Sequence, residues 1–432
     1  MNEYFFSSPE NIETCKHPLL NTESFYSPDR RSRIFTVDDR TPIEKTPPNY
    51  KESYCAFCLG RMFEATPEKN RTVRVDNKVK TIEYPPLNDP HKEVLFRRQG
   101  NLFEILSFPY WHQKYGLDSP HSDIERIDDY FNTPNLREYI EDLLRIKLFR
   151  MKIDSNLMSL ERKKNAVKPF FSGFHELLTS GRHFLPDAAN KSGLFASSTM
   201  SWQDHRVSYH QLCNIHVSMR KINPYISFIA TFQNWHLQAG ASFEHWHKQI
   251  LGLDFWGRPL ENEAYLFKSN PYIYRNFALG TAIAHNLFIA ENEHAISYIE
   301  VGGKVGLITI CSKSKNLLPS DHSSEEIDAM SDLVHAVYST LGVSTPCNEE
   351  WFYTPFNSKG FKTPWRIILN LRSSVLAGFE NISQILVNPI SQIELAYALR
   401  IKMAESMTNG HLAPGIHIAP MYKNLENILA YH

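Results

Sequence analysis

Phe243-Glu-His-Trp-His-Lys-Gln-Ile-Leu251 is the stretch on which the reading of this chain turns. With the two-residue period of a β-strand, Phe243, His245, His247, Gln249 and Leu251 share one face. Two imidazoles and a carboxamide then stand side by side, each about 7 Å from the next. Just upstream runs Asn234-Trp-His-Leu-Gln-Ala-Gly-Ala-Ser242, in which Gly240 and Ser242 form a short turn of small residues. Small residues let backbone N–H groups approach an anion closely, and Ser242 adds a hydroxyl donor. A neutral imidazole is a competent phosphorus nucleophile, and a nearby amide can bind phosphoryl oxygens as charge develops. The plain alternative is two satisfied polar residues on a half-buried strand. The sequence Asn, then Gly-Ala-Ser, then His-x-His-x-Gln argues for chemistry.

A second motif is Cys55-Ala-Phe-Cys58. Such a pair is a redox motif, half of a zinc site or chance. The Leu59-Gly60 that follows is not a thioredoxin-like βαβ setting, which weakens the redox reading. A structural zinc needs two more ligands. The other four of the six cysteines are scattered, so the chain has no disulfide framework.

Composition sets outer bounds. The 432 residues are 42% hydrophobic and 22% charged, values of a globular protein. Lys plus Arg (46) nearly cancels Asp plus Glu (47), so no global field favours nucleic acid or membrane. No apolar run of about 18 residues predicts a membrane span. The opening MNEYFFSSPENIETCKHP lacks the order of a signal peptide, and a cytoplasmic location is expected.

Along the chain, residues 1–30 read as an extended segment. From about 118 to 165 apolar residues recur at three and four, predicting a helical insert. Two later stretches read alike. The first has a run from His175, a helix from Trp202 to Ile222, and strands over Tyr225–Phe232 and Phe243–Leu253. The second has a run from Val305, a helix from Glu325 to Leu341, and strands near Trp351–Phe356 and Trp365–Leu371. Ser323 and Glu326 have capping-box spacing, and Gly342 suits a C-terminal cap. The expected architecture is α+β, with two similar halves, 31–260 and 261–432. Each would be an antiparallel sheet with packed helices, the first carrying the insert.

The Asn234–Gln249 constellation resembles the galactose-1-phosphate uridylyltransferase branch of the histidine-triad superfamily. That branch carries an Asn, a Gly-rich turn with Ser, and a His-x-His-x-Gln strand at the same spacing. The resemblance implies that His247 is the nucleophile, Gln249 its phosphate partner and His245 a ligand of structural zinc. It also implies that Cys55 and Cys58 bind that zinc. The fourth ligand is His183, in Gly173-Phe-His-Glu-Leu-Leu-Thr-Ser-Gly-Arg-His183, or His205, in Trp202-Gln-Asp-His205. His183 is favoured, because the helix pattern puts His205 in a first turn, as a solvent-facing residue. On the substrate side the resemblance implicates Asn234, Gly240, Ser242, Arg40 and Asn101. Gly378-Phe379-Glu380 resembles a sugar-contacting motif often shared across a dimer, which implies a homodimer. The second half lacks the histidine pair.

The activity implied is transfer of a nucleoside monophosphate from a nucleotide sugar or dinucleotide to phosphate or a sugar phosphate. It would run through a covalent nucleotidyl-histidine. Gln249 stands where the superfamily's hydrolases carry a third histidine, which favours transfer. Phosphorolysis or hydrolysis of such donors is the alternative enzymatic reading. A zinc-stabilised nucleotide-binding protein without turnover is the non-enzymatic one.

Overall fold

The structure is a computed structural model. It describes residues 53–87, 93–149, 151–188, 193–284, 286–300, 306–372 and 392–419, the isolated residues 382 and 429, and three short strands near the N-terminus. These strands, β1 (Phe5–Ser7), β2 (Glu13–Lys16) and β3 (Glu23–Tyr26), pair antiparallel in chain order. The chain divides into two compact units: residues 1–186, 218–229 and 247–258, and residues 187–217, 230–246 and 259–432.

In the first unit, β4 (Glu68–Val75) and β5 (Lys78–Glu83) form a hairpin around Asp76 and Asn77. Both turn residues have positive φ, a conformation Asp and Asn tolerate better than most residues. β6 (Val94–Gly100) follows. Helices α1 (Phe108–Tyr115), α2 (His121–Asn132), α3 (Pro134–Phe149) and α4 (Leu160–Ser172) come next, then β7 (His175–Ser180). The helical insert is therefore real and extends past residue 165, to Ser172. On α3, Tyr139, Ile140, Leu143, Leu144 and Leu148 share one face. They pack with Ile127 and Phe131 of α2 and Val167, Phe170 and Phe171 of α4 into a buried cluster. This satellite core explains the insert's periodicity. Helix α4 lies so close to β6 that a Cβ at Gly100 would sit 3.0 Å from the Phe170 carbonyl oxygen.

Helix α5 (Trp202–Ile222) has the bounds its pattern predicts. It is followed by β8 (Phe228–Trp235) and β9 (His247–Leu253). The strands of the first unit run antiparallel in the order β5-β4-β6-β7-β9.

The second unit contains α6 (Arg258–Ser269, from its second residue on), α7 (Gly280–Ala284), β10 (Phe288–Glu291), β11 (Ala295–Ile299) and β12 (Leu307–Ser312). It continues through α8 (Ser324–Leu341), β13 (Cys347–Phe352), β14 (Arg366–Leu371), α9 (Gln392–Thr408) and β15 (His417–Ile418). Its strand order is β15-β10-β11-β12-β14-β13-β8, again antiparallel. Helix α8 opens on the Ser323/Glu326 capping box and ends at Gly342 with φ 79°. It packs on β11, β12 and α9.

The fold is α+β, and strand, helix, strand, strand occurs twice: β7-α5-β8-β9 and β12-α8-β13-β14. Sheet order repeats with it, β6-β7-β9 matching β11-β12-β14. Several strand bounds differ from expectation. β9 begins at His247, so Phe243 and His245 precede the strand. β13 covers Cys347–Phe352, four residues earlier than its aromatic residues suggest. Among the described residues, no helix is long and apolar enough to cross a membrane.

Candidate active site and metal centre

The register of β9 against β7 sets out the first group of residues. His247 lies opposite Thr179, Gln249 opposite Leu177 and Leu251 opposite His175. One strand further, Arg97 of β6 faces Thr179, and Gln99 faces Leu177. Directly opposed residues of an antiparallel pair point to the same side. His247, Gln249, His175, Arg97 and Gln99 therefore share one face of the sheet. All five are buried.

Gln249 is held. Its Oε1 lies 3.1 Å from His175 Nε2. The Ile105 N–H donates to His175 Nδ1 at 3.1 Å. Asn101, just past β6, accepts the Phe103 N–H on Oδ1 at 3.0 Å, and its Nδ2 sits 3.2 Å from His175 Nε2. The Asn101 backbone N–H donates to the His175 carbonyl at 2.7 Å. Half-buried Asn101 thus packs against the His175 ring, which in turn meets Gln249.

The Cys55–Cys58 turn meets the same face. Phe57, between the two cysteines, sets its ring 5.7 Å from the His247 ring. Its carbonyl accepts from Arg97 Nη2, and Arg97 Nη1 lies 3.6 Å from Glu68. Glu68 also takes both arms of Arg71, at 2.8 and 3.0 Å. Burial pushes the Arg97 guanidinium below its ordinary value, and the Glu68 carboxylate works against that. A small cavity beside β4 and β6 is lined by Glu68, Arg71, Arg97, Gln99, Tyr130 and Tyr139, among others. Neither amide atom of the buried Gln99 has a hydrogen-bond partner.

Cys55, Cys58, His183 and His245 each offer one ligand atom, all within 4.8 Å of one another, and all four residues are buried. The sulfurs stand 3.8 Å apart, and His183 Nδ1 lies 3.4 and 3.5 Å from them. A tetrahedral zinc, with bonds of about 2.3 Å to sulfur and 2.0–2.1 Å to nitrogen, sets these separations near 3.8 and 3.6 Å. The donor set therefore fits a four-coordinate thiophilic cation. Burial pushes the Cys55 thiol up, and Cys58 adds to the rise. A metal would have to displace protons to bind. The His183 ring is fixed by Phe184, stacked at 4.4 Å, and by the edge of Tyr54 at 4.9 Å.

His205 is not a surface residue. It is fully buried, with Nδ1 2.7 Å from Ser331 Oγ. The first-turn position misled the sequence reading: Gln203 is exposed, but the face of α5 that carries His205 also carries Ser208, Tyr209 and Leu212 and is buried. Within the second unit, the turn before β9 is held from one side: Asn348 Nδ2 donates to Asn234 Oδ1 and to the Ala239 carbonyl, both at 2.7 Å. Gly240 has φ +84°, which favours glycine there. Ser242 is buried. Trp246 is fully buried and donates to Ser197 Oγ at 2.8 Å. Arg40 and Gly378-Phe379-Glu380 lie outside the described residues.

Residues 13–431 match the model of a protein family described as Domain of unknown function (DUF4921). The chain belongs to this family. No curated protein matches it. Among solved structures it is similar to an ADP-glucose phosphorylase from Arabidopsis thaliana with bound ADP-glucose. That likeness has 17% identity and a TM-score of 0.54, over 90% of this chain and 98% of that one. It is also similar to a GalT-like protein from Arabidopsis thaliana, with 16% identity and a TM-score of 0.53, over 83% of this chain and 98% of that one. At these identities the likeness is one of fold, the α+β fold of GalT-like proteins.

For this family member, His175, Arg97 and Gln99 are the site residues that sequence reasoning passed over. His175 opens an apolar run and reads as its polar first residue. Alternation along Phe96-Arg-Arg-Gln99 does place Arg97 and Gln99 on one face, but only strand pairing puts that face beside His247.

Proposed function

We propose that this chain is a nucleotidyltransferase that carries a nucleoside monophosphate on His247. The observation that carries this reading is the pairing of His247 with a fixed carboxamide, Gln249, one pleat away on the same strand face. In the first step an imidazole nitrogen of His247 attacks the α-phosphorus of a nucleotide sugar or dinucleotide. The N–P bond forms as the P–O bond to the phosphorylated leaving group breaks. In the second, an oxygen of phosphate or a sugar phosphate attacks the same phosphorus, and the N–P bond breaks. Both steps place extra negative charge on the α-phosphoryl oxygens, where the Gln249 amide and Ser242 would bind it.

Cys55, Cys58, His183 and His245 would hold zinc as a closed four-ligand site, which fixes the loop before β9 and leaves no position to activate water. The nucleoside extends naturally across β7. Two strand spacings separate β9 from β6, about 10 Å, roughly the reach from an α-phosphate to the far edge of a base. That puts the base beside the cavity lined by Gln99. Asn234, Gly240, Arg40 and Asn101 complete the proposed donor contacts, and a homodimer is the proposed assembly.

Phosphorolysis of a nucleotide sugar, with inorganic phosphate as acceptor, is the second reading. It is favoured by the similarity in fold to the Arabidopsis ADP-glucose phosphorylase. Mass spectrometry of the protein after incubation with UDP-, ADP- and GDP-sugars tests both. The expected result is one mononucleotide mass increment, absent in His247→Ala and discharged by phosphate or a sugar phosphate. Release of free mononucleotide in water alone, with no adduct on the protein, would overturn the proposal.

A further inference from the structure

We propose that His175 is a positioning residue that decides which end of the Gln249 amide faces the phosphoryl group; the inference rests on the reading of Gln249 given above. One group at this site cannot turn. The Ile105 backbone N–H is a donor in every state, and it points at His175 Nδ1 from 3.1 Å. Nδ1 must therefore be the acceptor, and the proton of the neutral ring sits on Nε2. Nε2–H is then the donor to Gln249 Oε1 at 3.1 Å. Asn101 Nδ2, 3.2 Å from the same nitrogen, is also a donor, since its Oδ1 is committed to the Phe103 N–H. That contact is consequently not a hydrogen bond, and Gln249 Oε1 is the acceptor for the ring.

Position along the sheet gives the consequence. His175 is level with Leu251, one pleat beyond Gln249, while His247 lies one pleat before it. The amide oxygen turned toward His175 is thus turned away from His247. The Nε2 amino group faces the nucleophile's side, where phosphoryl oxygens would gather charge. A reversed amide would present a lone pair to those oxygens and repel them. An isolated glutamine chooses between the two orientations freely. Here the choice is made by a backbone amide acting through a fully buried imidazole.

A hydrogen-bond polarity can be measured apart from catalysis. Long-range nitrogen–proton NMR of histidine-labelled protein, with His175 assigned by its loss in His175→Gln, should show a neutral ring protonated on Nε2 at pH 7. A ring protonated on Nδ1, or on both nitrogens, overturns the inference whether or not the protein transfers nucleotides. Adduct formation is the second readout. His175→Leu should slow it about 100-fold, the scale of losing one oriented donor, with donor KM changed less than about threefold. His175→Gln carries an amide N–H near the Nε2 position and should recover about tenfold. A folded His175→Leu that matches the wild-type rate also overturns it. Absence of adduct in the wild type, with the Nε2–H ring in place, sinks the proposed function and leaves the polarity argument standing.

Discussion

At the scale of single residues, two side chains meet similar burial with different consequences. Gln249 is neutral, and in the proposed reaction its value lies in orientation. Gln249→Glu keeps size and reach but puts a carboxylate where phosphoryl oxygens would sit. Adduct formation should fall about 10²–10³-fold, while thermal stability changes little, because His175 Nε2–H still finds an acceptor. A rate within a few-fold of wild type would show that Gln249 touches no developing charge. Arg97 is a fully buried cation whose partners are Glu68 and the Phe57 carbonyl. Arg97→Met removes the charge, leaves Glu68 with Arg71 alone and frees the Phe57 backbone. Breaking such a pair costs about 3–5 kcal/mol, to be read by urea unfolding. A loss below about 1 kcal/mol would mean that the Cys55–Cys58 turn does not depend on Arg97. Gln249 as a phosphate partner was legible in the sequence, but its orientation by His175 and the place of Arg97 were not, since both depend on what lies on the next strand.

At the scale of elements, legibility followed how local the determinants are. α5 and α8 carry their own information: periodic apolar positions, a capping box, a glycine stop. Their bounds could be read directly. β13 could not. Its aromatic residues suggest a strand from Trp351 onward, yet Cys347-Asn-Glu-Glu350 enters the ladder. What makes this tolerable is Glu349, fully buried but receiving Tyr209 OH and Tyr338 OH at 3.0 Å and Trp351 Nε1 at 2.8 Å. One of these donors, Tyr209 of α5, comes from 140 residues away in sequence, which no local pattern around β13 announces. The Cys55–Cys58 turn lies between these cases, because its motif shows in sequence while its histidine partners had to be supplied by resemblance. The element-level test is metal content. Purified protein should hold near-stoichiometric zinc, lost in His183→Ala and kept in His205→Ala. The reverse pattern would move the ligand to α5. In the helical insert, Leu143→Ala should cost about 2–5 kcal/mol, because Leu143 is fully buried among α2, α3 and α4.

At the scale of the whole molecule, buried histidines govern the response to acid before the carboxylates do. His216 is fully buried between Trp351 and Tyr353, with Nε2 2.6 Å from Thr231 Oγ1. Burial brings its pKa down to about 3. Burial likewise lowers His335 and His322. In the unfolded chain each takes up a proton near pH 6.5, which the folded protein binds less readily, so protons accumulate on the unfolded state as pH falls. Stability is then lost progressively below about 6.5, by up to about 1.4 kcal/mol per pH unit for each such histidine. Glu176 and Asp254 act later. Burial alone would raise both carboxyls, but Arg98 and Lys69 hold Glu176 below its ordinary range, and Lys114, Tyr110 and Tyr115 do so for Asp254. Their contribution is complete above the unfolded carboxylate pKa, about 4, and disappears as pH falls through the lower folded values. Urea unfolding between pH 8 and 4, at saturating zinc, should therefore show a decline that starts near 6.5 and not near 4.5. His216→Asn, which cannot be protonated, should reduce the slope below 6.5 by close to one proton. Stability that stays flat down to pH 5 would mean that the buried histidines gain their protons without unfolding.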